Sequence, residues 1–595
     1  MDLNILKHLN KKQKESVVNY SGPTIILAGA GSGKTRVLVT KVIYLIKEKN
    51  INPSSIVMLT FTNKAAAEMK ERIGHQLGGI VKLGFVGTYH SFCVRILRQF
   101  WESAGLDKNF IIYDDSDQKT LIKQIISEKK LFGKKTPGYF SYYISLAKNQ
   151  IITPENFLEN FKFHQSALVA DVYFHYQKKM DTNHGVDFDD LLIKIVQLFQ
   201  KHKQVLGYFQ NKFQYFLVDE FQDTNFVQYL LTKLLAEKSK NITVVGDFSQ
   251  SIYSWRGADI TNLKKFEKDF NGSKTFYLEE NYRSTQKILD FAFNIISKNN
   301  THPILHLFTN NKPGEDVVFY QAGNEQEEAI YVAEEIVRLI SINNTIELPN
   351  FVILYRPNAQ SRVLEEVLLR YGMPYVLVGG TRFYERKEIK NILAYLKLLI
   401  NPNESVSLER IKKLGKTRFA KFKVVYDEIK DKLESFQTDE LMEKVFESVG
   451  YLKMFDSEDP DDFSRLENIK ELKSVAVSFP KLMDFLEQVA LVESEYSQHE
   501  KETKDNRRLV LMTLHQAKGL EFDHVFIVGV EEGLLPHSRS LEDQFQLEEE
   551  RRLFYVGITR AKKALYITNT RKRFIFGSQG YSTPSRFIAD EQTDY

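Results

Sequence analysis

Thr24-Ile-Ile-Leu-Ala-Gly-Ala-Gly-Ser-Gly-Lys-Thr35 decides the reading of this chain. A β-branched, apolar run predicts a buried strand. The glycine-rich turn that follows, residues Ala28, Gly29, Ala30, Gly31, Ser32 and Gly33, lets backbone N–H groups converge on an anion. Lys34 and Thr35 then open a helix whose N-terminus favours negative charge. In this arrangement Lys34 bridges the β- and γ-phosphates of a nucleotide, and the Thr35 hydroxyl faces Mg²⁺. Ala28 stands where the simplest form of the motif has Gly, a small-residue exchange that leaves the geometry little changed. The motif predicts a phosphate cradle.

Composition limits the alternatives. A length of 595 residues allows roughly three to five domains. With 43% hydrophobic and 27% charged residues, the chain has the make-up of a soluble globular protein rather than a disordered one. Its net charge of only +4 means that any nucleic-acid site must be local. The single cysteine, Cys93, excludes a disulfide framework and a cysteine-rich zinc site, and suits a reducing compartment. No run approaches about 18 uninterrupted apolar residues, and the N-terminal residues lack a signal pattern. The expectation is a cytoplasmic, multidomain protein.

Strand-like runs alternate with helical patterns in two blocks. The first holds Ile25–Leu27, Ile56–Thr60, Tyr215–Val218 and Ile242–Val245. The second holds Val317–Tyr320, Phe351–Tyr355, Leu509–Met512, Val525–Val528 and Leu565–Thr568. Such alternation predicts two α/β cores built on parallel sheets with flanking helices. The segments 90–210 and 386–505 lack the rhythm and read as mainly helical insertions, one in each core. The expected division is 1–89 with 211–281 for core 1, and 282–385 with 506–595 for core 2.

A phosphate cradle needs a metal-holding acid on a neighbouring strand. Tyr215-Phe-Leu-Val-Asp-Glu220 ends an apolar strand in two carboxylates. Asp219 is placed to hold Mg²⁺, and Glu220 to orient and deprotonate the attacking water. After the next strand, Gln250 is a candidate to contact both the γ-phosphate and that water. Arginines are expected to neutralise charge on the transferring phosphoryl group. Arg283 and Arg560 are two of 81 basic residues, each equally readable as an ordinary surface ion pair until the resemblance given below singles them out.

These pieces stand in a fixed order with others: Leu9-Asn-Lys-Lys-Gln13, Thr60-Phe-Thr-Asn-Lys-Ala-Ala-Ala-Glu-Met69, Gly87-Thr-Tyr-His-Ser-Phe92, Asp187-Phe-Asp-Asp190 and Val218-Asp-Glu-Phe-Gln-Asp-Thr224. Further on come Ile353-Leu-Tyr-Arg-Pro-Asn358, Met512-Thr-Leu-His-Gln-Ala-Lys-Gly-Leu-Glu-Phe522 and Tyr555-Val-Gly-Ile-Thr-Arg-Ala561. The ordered set resembles the UvrD/PcrA/Rep family of superfamily 1 DNA helicases over nearly the whole chain. The resemblance implies two RecA-like P-loop NTPase cores and an ATP- and Mg²⁺-dependent motor moving 3′→5′ on single-stranded DNA, in DNA repair or replication. It makes Gln13 the reader of the adenine edge, Tyr282 the residue stacked on the base and Glu521 a ribose contact. Arg36 joins the nucleotide site. Arg283 and Arg560 match two arginines that reach the γ-phosphate from the second core.

A motor on single strands needs aromatic faces for bases and donors for phosphates. The candidates are Phe61, Thr88, His90, Phe188, Tyr253, Trp255, Arg256, Arg356, Asn358, Thr513 and His515. Trp255, one of two tryptophans, reads with Arg256 as a stacking platform and phosphate clamp. Among 43 phenylalanines, Phe61 and Phe188 read more readily as core residues. The expected partners are single-stranded DNA and single/double-strand junctions, bound by a monomer or weak dimer.

The second insertion is shorter than is usual in the family, and Ile411-Lys-Lys-Leu-Gly-Lys-Thr-Arg-Phe-Ala420 replaces its usual duplex-contacting run. An alternative is therefore a DNA-stimulated translocase that clears proteins from single strands and unwinds weakly. A non-motor ATP switch is a further class, disfavoured by DNA-facing motifs in both cores.

Overall fold

A computed structural model describes residues 5–131, 135–502, 507–575 and 578–589, the side chains of Arg256, residues 493–502, Ile575, Ser578 and Gln579 excepted. The chain forms two compact units, Met1–Lys312 and Pro313–Tyr595.

In the first unit, β1 (Thr24–Ala28), β2 (Ile56–Thr60), β3 (Phe85–Thr88), β4 (Tyr215–Val218), β5 (Ile242–Gly246) and β6 (Lys274–Leu278) form one parallel sheet. Its order is β3-β2-β4-β5-β1-β6. The inner strands β1, β2 and β5 are buried at every position, as expected of a parallel sheet covered on both faces. Each of their Val, Ile and Leu side chains contributes about 1.5–3 kcal/mol by leaving water. Parallel strands all end on one edge, and the loops there are where such sheets carry their chemistry. Because β4 and β5 lie between β1 and β2, the acids that follow them emerge beside the glycine-rich turn.

The first insertion packs helices Asp115–Glu128, Pro137–Lys148 and Ser166–Thr182 around their own apolar cluster, including Ile122, Phe140, Val172 and Tyr176. It also carries a short parallel pair, Ile111–Tyr113 with Gly185–Asp187, which the mainly helical expectation lacked.

In the second unit, β7 (Val318–Ala322), β8 (Phe351–Tyr355), β9 (Tyr375–Leu377), β10 (Leu509–Thr513), β11 (Phe522–Ile527) and β12 (Ala561–Thr570) form a second parallel sheet. The order is β7-β12-β11-β8-β10-β9. The second insertion is helical, as expected, and its described apolar side chains join the core of the sheet. Leu393, Phe422, Leu441, Phe446, Leu472 and Phe485 belong to the same buried cluster as Ile353, Leu509 and Leu511 of the sheet. Its helix Pro460–Ser478 is also pinned by polar contacts. Arg362 Nε donates to Glu471 at 2.7 Å, Arg386 Nη1 donates to Asn468 at 2.7 Å, and His537 Nε2 lies 3.2 Å from Glu467.

The division after Lys312 differs from the expected boundary at 281/282. Residues 282–312 lie with the first unit because they are built onto the glycine-rich turn: Tyr282 N–H donates to the Gly31 carbonyl at 3.0 Å, and Leu289 and Leu307 pack against Ala30.

Candidate nucleotide and nucleic-acid sites

The turn after β1 takes the shape its glycines permit. Gly31 has φ +66°, and a Cβ there would stand 2.6 Å from Asn281 Nδ2 and 2.8 Å from Arg283 Cβ. Gly33 has φ +86° and caps the helix Lys34–Lys47. Both positions favour glycine because L side chains rarely adopt the left-handed region. Ser32 Oγ donates back to the Gly29 carbonyl at 2.8 Å and closes the loop. Lys34 Nζ donates to the Ala28 carbonyl at 3.1 Å and stands 3.9 Å from Asp247 Oδ2. Thr35 occupies the first helical turn, half-buried, and Arg36 beside it is exposed.

Gln13 is fully buried, and its Nε2 donates to the Ser32 carbonyl at 2.9 Å. It sits at the third position of helix Lys11–Val18 in a capping box with Asn10. Asn10 Nδ2 in turn donates to Tyr282 Oη at 2.9 Å. Tyr282 is 42% exposed, with the Arg36 guanidinium 5.8 Å from its ring centre. An exposed ring next to a buried amide suits the edge and face of one purine. Arg283 lies in this unit, not in the second: its backbone N–H donates to Asn281 Oδ1 at 2.8 Å, while Asn281 Nδ2 holds the Ala30 carbonyl at 2.6 Å.

Asp219 follows β4 and is buried, and its Oδ1 has no hydrogen-bond partner among the described residues. Burial, and then the neighbouring Glu220 charge, push its carboxyl up to about 7, while Lys34 pulls the other way. A buried carboxylate with an unused oxygen fits a cation that restores the missing charge. No cluster of three or more metal-ligating side chains occurs among the described residues. Mg²⁺ is commonly held by one or two carboxylates together with substrate phosphates. Asp219 and Thr35 are the residues able to hold it. Glu220 adopts φ +49°, an uncommon backbone state for a non-glycine residue and one that concentrates at functional sites. Gln250 Nε2 donates to Asp247 Oδ2 at 2.7 Å, so it shares an acid with Lys34.

The nucleic-acid candidates of the first unit gather on the same sheet edge. Phe61 follows β2, and its ring stacks on Tyr253 with centroids 5.2 Å apart and planes 13° apart. Tyr253 meets Trp255 edge-on at 6.4 Å. His90 meets Phe188 edge-on at 5.5 Å. Phe61, Thr88, His90 and Phe188 line one recess of about 430 Å³. Phe61, Phe188 and Trp255 are 37%, 42% and 49% exposed, so the core reading of the two phenylalanines is corrected: they present faces to solvent. Burial lowers the pKa of His90, which keeps it uncharged at neutral pH. The side chain of Arg256 lies outside the described ones.

The remaining candidates lie in the second unit. Tyr355 and Thr513 are paired at the ends of β8 and β10, which brings Arg356 and Thr513 to one edge, with Asn358 and His515 in the loops that follow. Arg356 Nη2 donates to Glu550 at 2.6 Å, a paired state rather than a bare cation. Glu521 forms an ion pair with Lys562 at 2.8 Å. Arg560 is 2% exposed, and its guanidinium donates to the carbonyls of Val556 (2.8 Å) and Leu520 (3.1 Å).

Four residues that organise the first unit's site were not singled out by sequence. Asn10, Gln222, Asp247 and Asn281 hold the functional groups rather than supply them. Only the Asn10-x-x-Gln13 spacing, a capping-box pattern, carried a readable signal.

Comparison with known proteins identifies the family. The family model for the UvrD/REP helicase N-terminal domain matches residues 9–271. That for the UvrD-like helicase C-terminal domain matches residues 276–424 and 412–572. The ATP-dependent DNA helicase PcrA of Bacillus subtilis is 42% identical, with 99% of this chain and 86% of that protein covered. The PcrA proteins of Staphylococcus aureus and Staphylococcus epidermidis are 41% and 40% identical, covering 98% and 99% of this chain and 86% and 87% of their own lengths. With both halves of the helicase matched in order and full-length relatives at two-fifths identity, the chain belongs to the UvrD/Rep family of helicases.

Proposed function

We propose that this protein is an ATP-dependent DNA helicase that moves 3′→5′ along single-stranded DNA and opens duplexes, in DNA repair or replication. One observation carries the reading: the sheet edge that presents Lys34, Asp219, Glu220 and Asp247 also presents the exposed rings of Phe61 and Trp255, with the half-buried Tyr253 between them. Nucleotide chemistry and base stacking are thereby built on neighbouring loops of one sheet. Bound Mg²⁺, held by Thr35 and Asp219, would neutralise phosphate charge. Lys34 binds the phosphates, and Gln13 and Tyr282 fix the base. Glu220 takes the proton of the attacking water. Arg283 and Arg560 are the proposed stabilisers of charge on the transferring phosphoryl group. Thr88, His90 and Phe188 hold the strand, with Arg356, Asn358, Thr513 and His515 as further contacts.

The direction of travel and the assignment to repair or replication rest on the family resemblance alone. No helix among the described residues is long and apolar enough to cross a membrane, and the one cysteine, Cys93, is buried and free. A cytoplasmic location, single strands and junctions as partners, and a monomer or weak dimer belong to the proposal, all three carried by the family resemblance. Strand displacement with ATP on duplexes carrying either a 3′ or a 5′ single-stranded tail tests activity and polarity together. Opening of the 3′-tailed substrate alone is expected, and no displacement of either would overturn the proposal.

A second reading is favoured by the second insertion, whose helices are merged into the core of the second sheet. An insertion so committed has less surface to engage duplex, which favours a translocase that strips proteins from single strands and unwinds weakly. Streptavidin displacement from biotinylated single strands, measured beside long-duplex unwinding, separates the two. Processive unwinding over hundreds of base pairs by the monomer would dismiss the translocase reading.

A further inference from the structure

The turn that holds Glu220, the loop that holds Trp255 and the helix that begins at Phe188 come from three distant parts of the sequence. One buried side chain touches all three. Asn149, 9% exposed, ends helix Pro137–Lys148 of the first insertion. Its Oδ1 accepts from Asn225 Nδ2 at 2.6 Å. Asn225 follows Thr224 of the carboxylate motif and caps helix Phe226–Ala236. The Asn149 Nδ2 donates to the Ser145 carbonyl at 2.9 Å and approaches Asp189 Oδ1 at 3.5 Å. Asp189 adjoins Phe188 and accepts from Ser145 Oγ at 2.6 Å. Gly257, which closes the loop of Trp255, lies against the same amide: a Cβ there would come within 3.2 Å of Asn149 Cγ.

The surroundings hold this side chain firmly. Lys148, next to it, is fully buried between Asp187 (2.6 Å) and Asp190 (2.7 Å), the residues flanking Phe188 and Asp189. Removing one member of such a buried ionic set leaves charge unpaired, so the group moves as a unit or not at all. On the other side of Asn149, Ile151 has φ +58°, a costly state for a β-branched residue that only strong surrounding contacts maintain. A shift of the Phe188 helix or of the Trp255 loop therefore presses directly on the amide that grips Asn225. Asn225 is five residues from Glu220 along a turn tied by Asn262 Nδ2 to the Thr224 carbonyl at 2.9 Å.

We infer that Asn149 is a positioning residue that transmits the binding of single-stranded nucleic acid at Phe188 and Trp255 to the hydrolytic turn at Glu220. The inference rests on the proposed helicase function, because it concerns stimulation of ATP turnover by a strand. Asn149 is not among the residues proposed to bind nucleotide or strand and is assigned no part in the chemistry itself. Its loss should uncouple the two sites while leaving each able to bind.

The test is steady-state ATP turnover of the full chain and of Asn149→Ala, with and without oligo-dT, alongside oligo-dT affinity and thermal unfolding. Expected for Asn149→Ala is a DNA-free turnover, an ATP KM and an oligo-dT Kd each within about two-fold of the parent, with DNA-stimulated kcat reduced about ten-fold. Asn149→Asp, of the same shape, keeps the acceptor for Asn225 but loses the donor to Ser145 and sets a like charge near Asp189. It should also lose stimulation, and it carries the test if Asn149→Ala unfolds. Stimulation within two-fold of the parent in the folded variant overturns the inference, as does an equal fall in DNA-free and DNA-stimulated turnover. If the parent chain itself shows no stimulation by oligo-dT, the helicase proposal fails instead, so the two failures are distinct.

Discussion

Gln222 Nε2 donates to Glu220 Oε2 at 2.5 Å, while its Oε1 receives the Asp247 N–H at 3.1 Å. One buried amide thus ties the candidate base after β4 to the acid after β5, and Asp247 in turn faces Lys34. The base is aimed by a neighbour with no chemistry of its own. A displacement of about 1 Å from a reactive geometry can cost about 10²-fold. Gln222→Glu, which puts a like charge against Glu220, should lower kcat by about that factor and leave the ATP Kd little changed. Equal kcat in variant and parent would show that Glu220 is held by other contacts.

Trp255→Ala should weaken single-strand affinity about ten-fold, since stacking on an aromatic contributes about 1–3 kcal/mol per base. Movement should suffer more than nucleotide binding in the absence of DNA. Fluorescence anisotropy with labelled oligo-dT and a translocation assay read the two effects separately. An unchanged unwinding rate would remove Trp255 from the track.

Arg560→Ala should reduce DNA-stimulated turnover by on the order of 10³-fold, the general magnitude for an arginine that stabilises phosphoryl charge. Its guanidinium is held by the carbonyls of Val556 and Leu520, so a melting curve must accompany the rate. Near-parental hydrolysis by a folded variant would refute the role.

His524 supplies a pH dependence. It is buried in β11 and stacked on Phe351 at 4.8 Å, and neither ring nitrogen has a hydrogen-bond partner among the described residues. Burial lowers its pKa from the ordinary 6.5. The folded state therefore keeps the ring neutral, whereas the unfolded chain takes up a proton near pH 6.5. Its contribution to stability is complete above that pH and declines as pH falls below it. Urea midpoints at about pH 7.5 and about pH 5.5 should differ less for His524→Leu than for the parent. The same difference in both would exclude His524 as its source.

The strands at the centre of each sheet were legible because burial on both faces leaves an unbroken apolar run, as in Ile56–Thr60 and Phe351–Tyr355. The strands of the two large sheets that escaped notice, Phe85–Thr88, Lys274–Leu278 and Tyr375–Leu377, are all at sheet edges, where partial exposure interrupts the run. The shape of the glycine-rich turn was legible, since local backbone needs dictate its residues. The supports were not: Asn281 to Ala30 spans 251 positions, and Asn225 to Asn149 spans 76. Nothing in either neighbourhood distinguishes those asparagines from surface ones until the fold brings them together.

The merging of the second insertion with the sheet sets the terms on which this protein can be trimmed. Excising residues 386–505 would strip Ile353, Leu509 and Leu511 of their apolar neighbours and leave Arg362 without Glu471. A truncated form would then be an aggregation-prone fragment rather than a leaner enzyme. Engineering of this segment is confined to its outward-facing side chains.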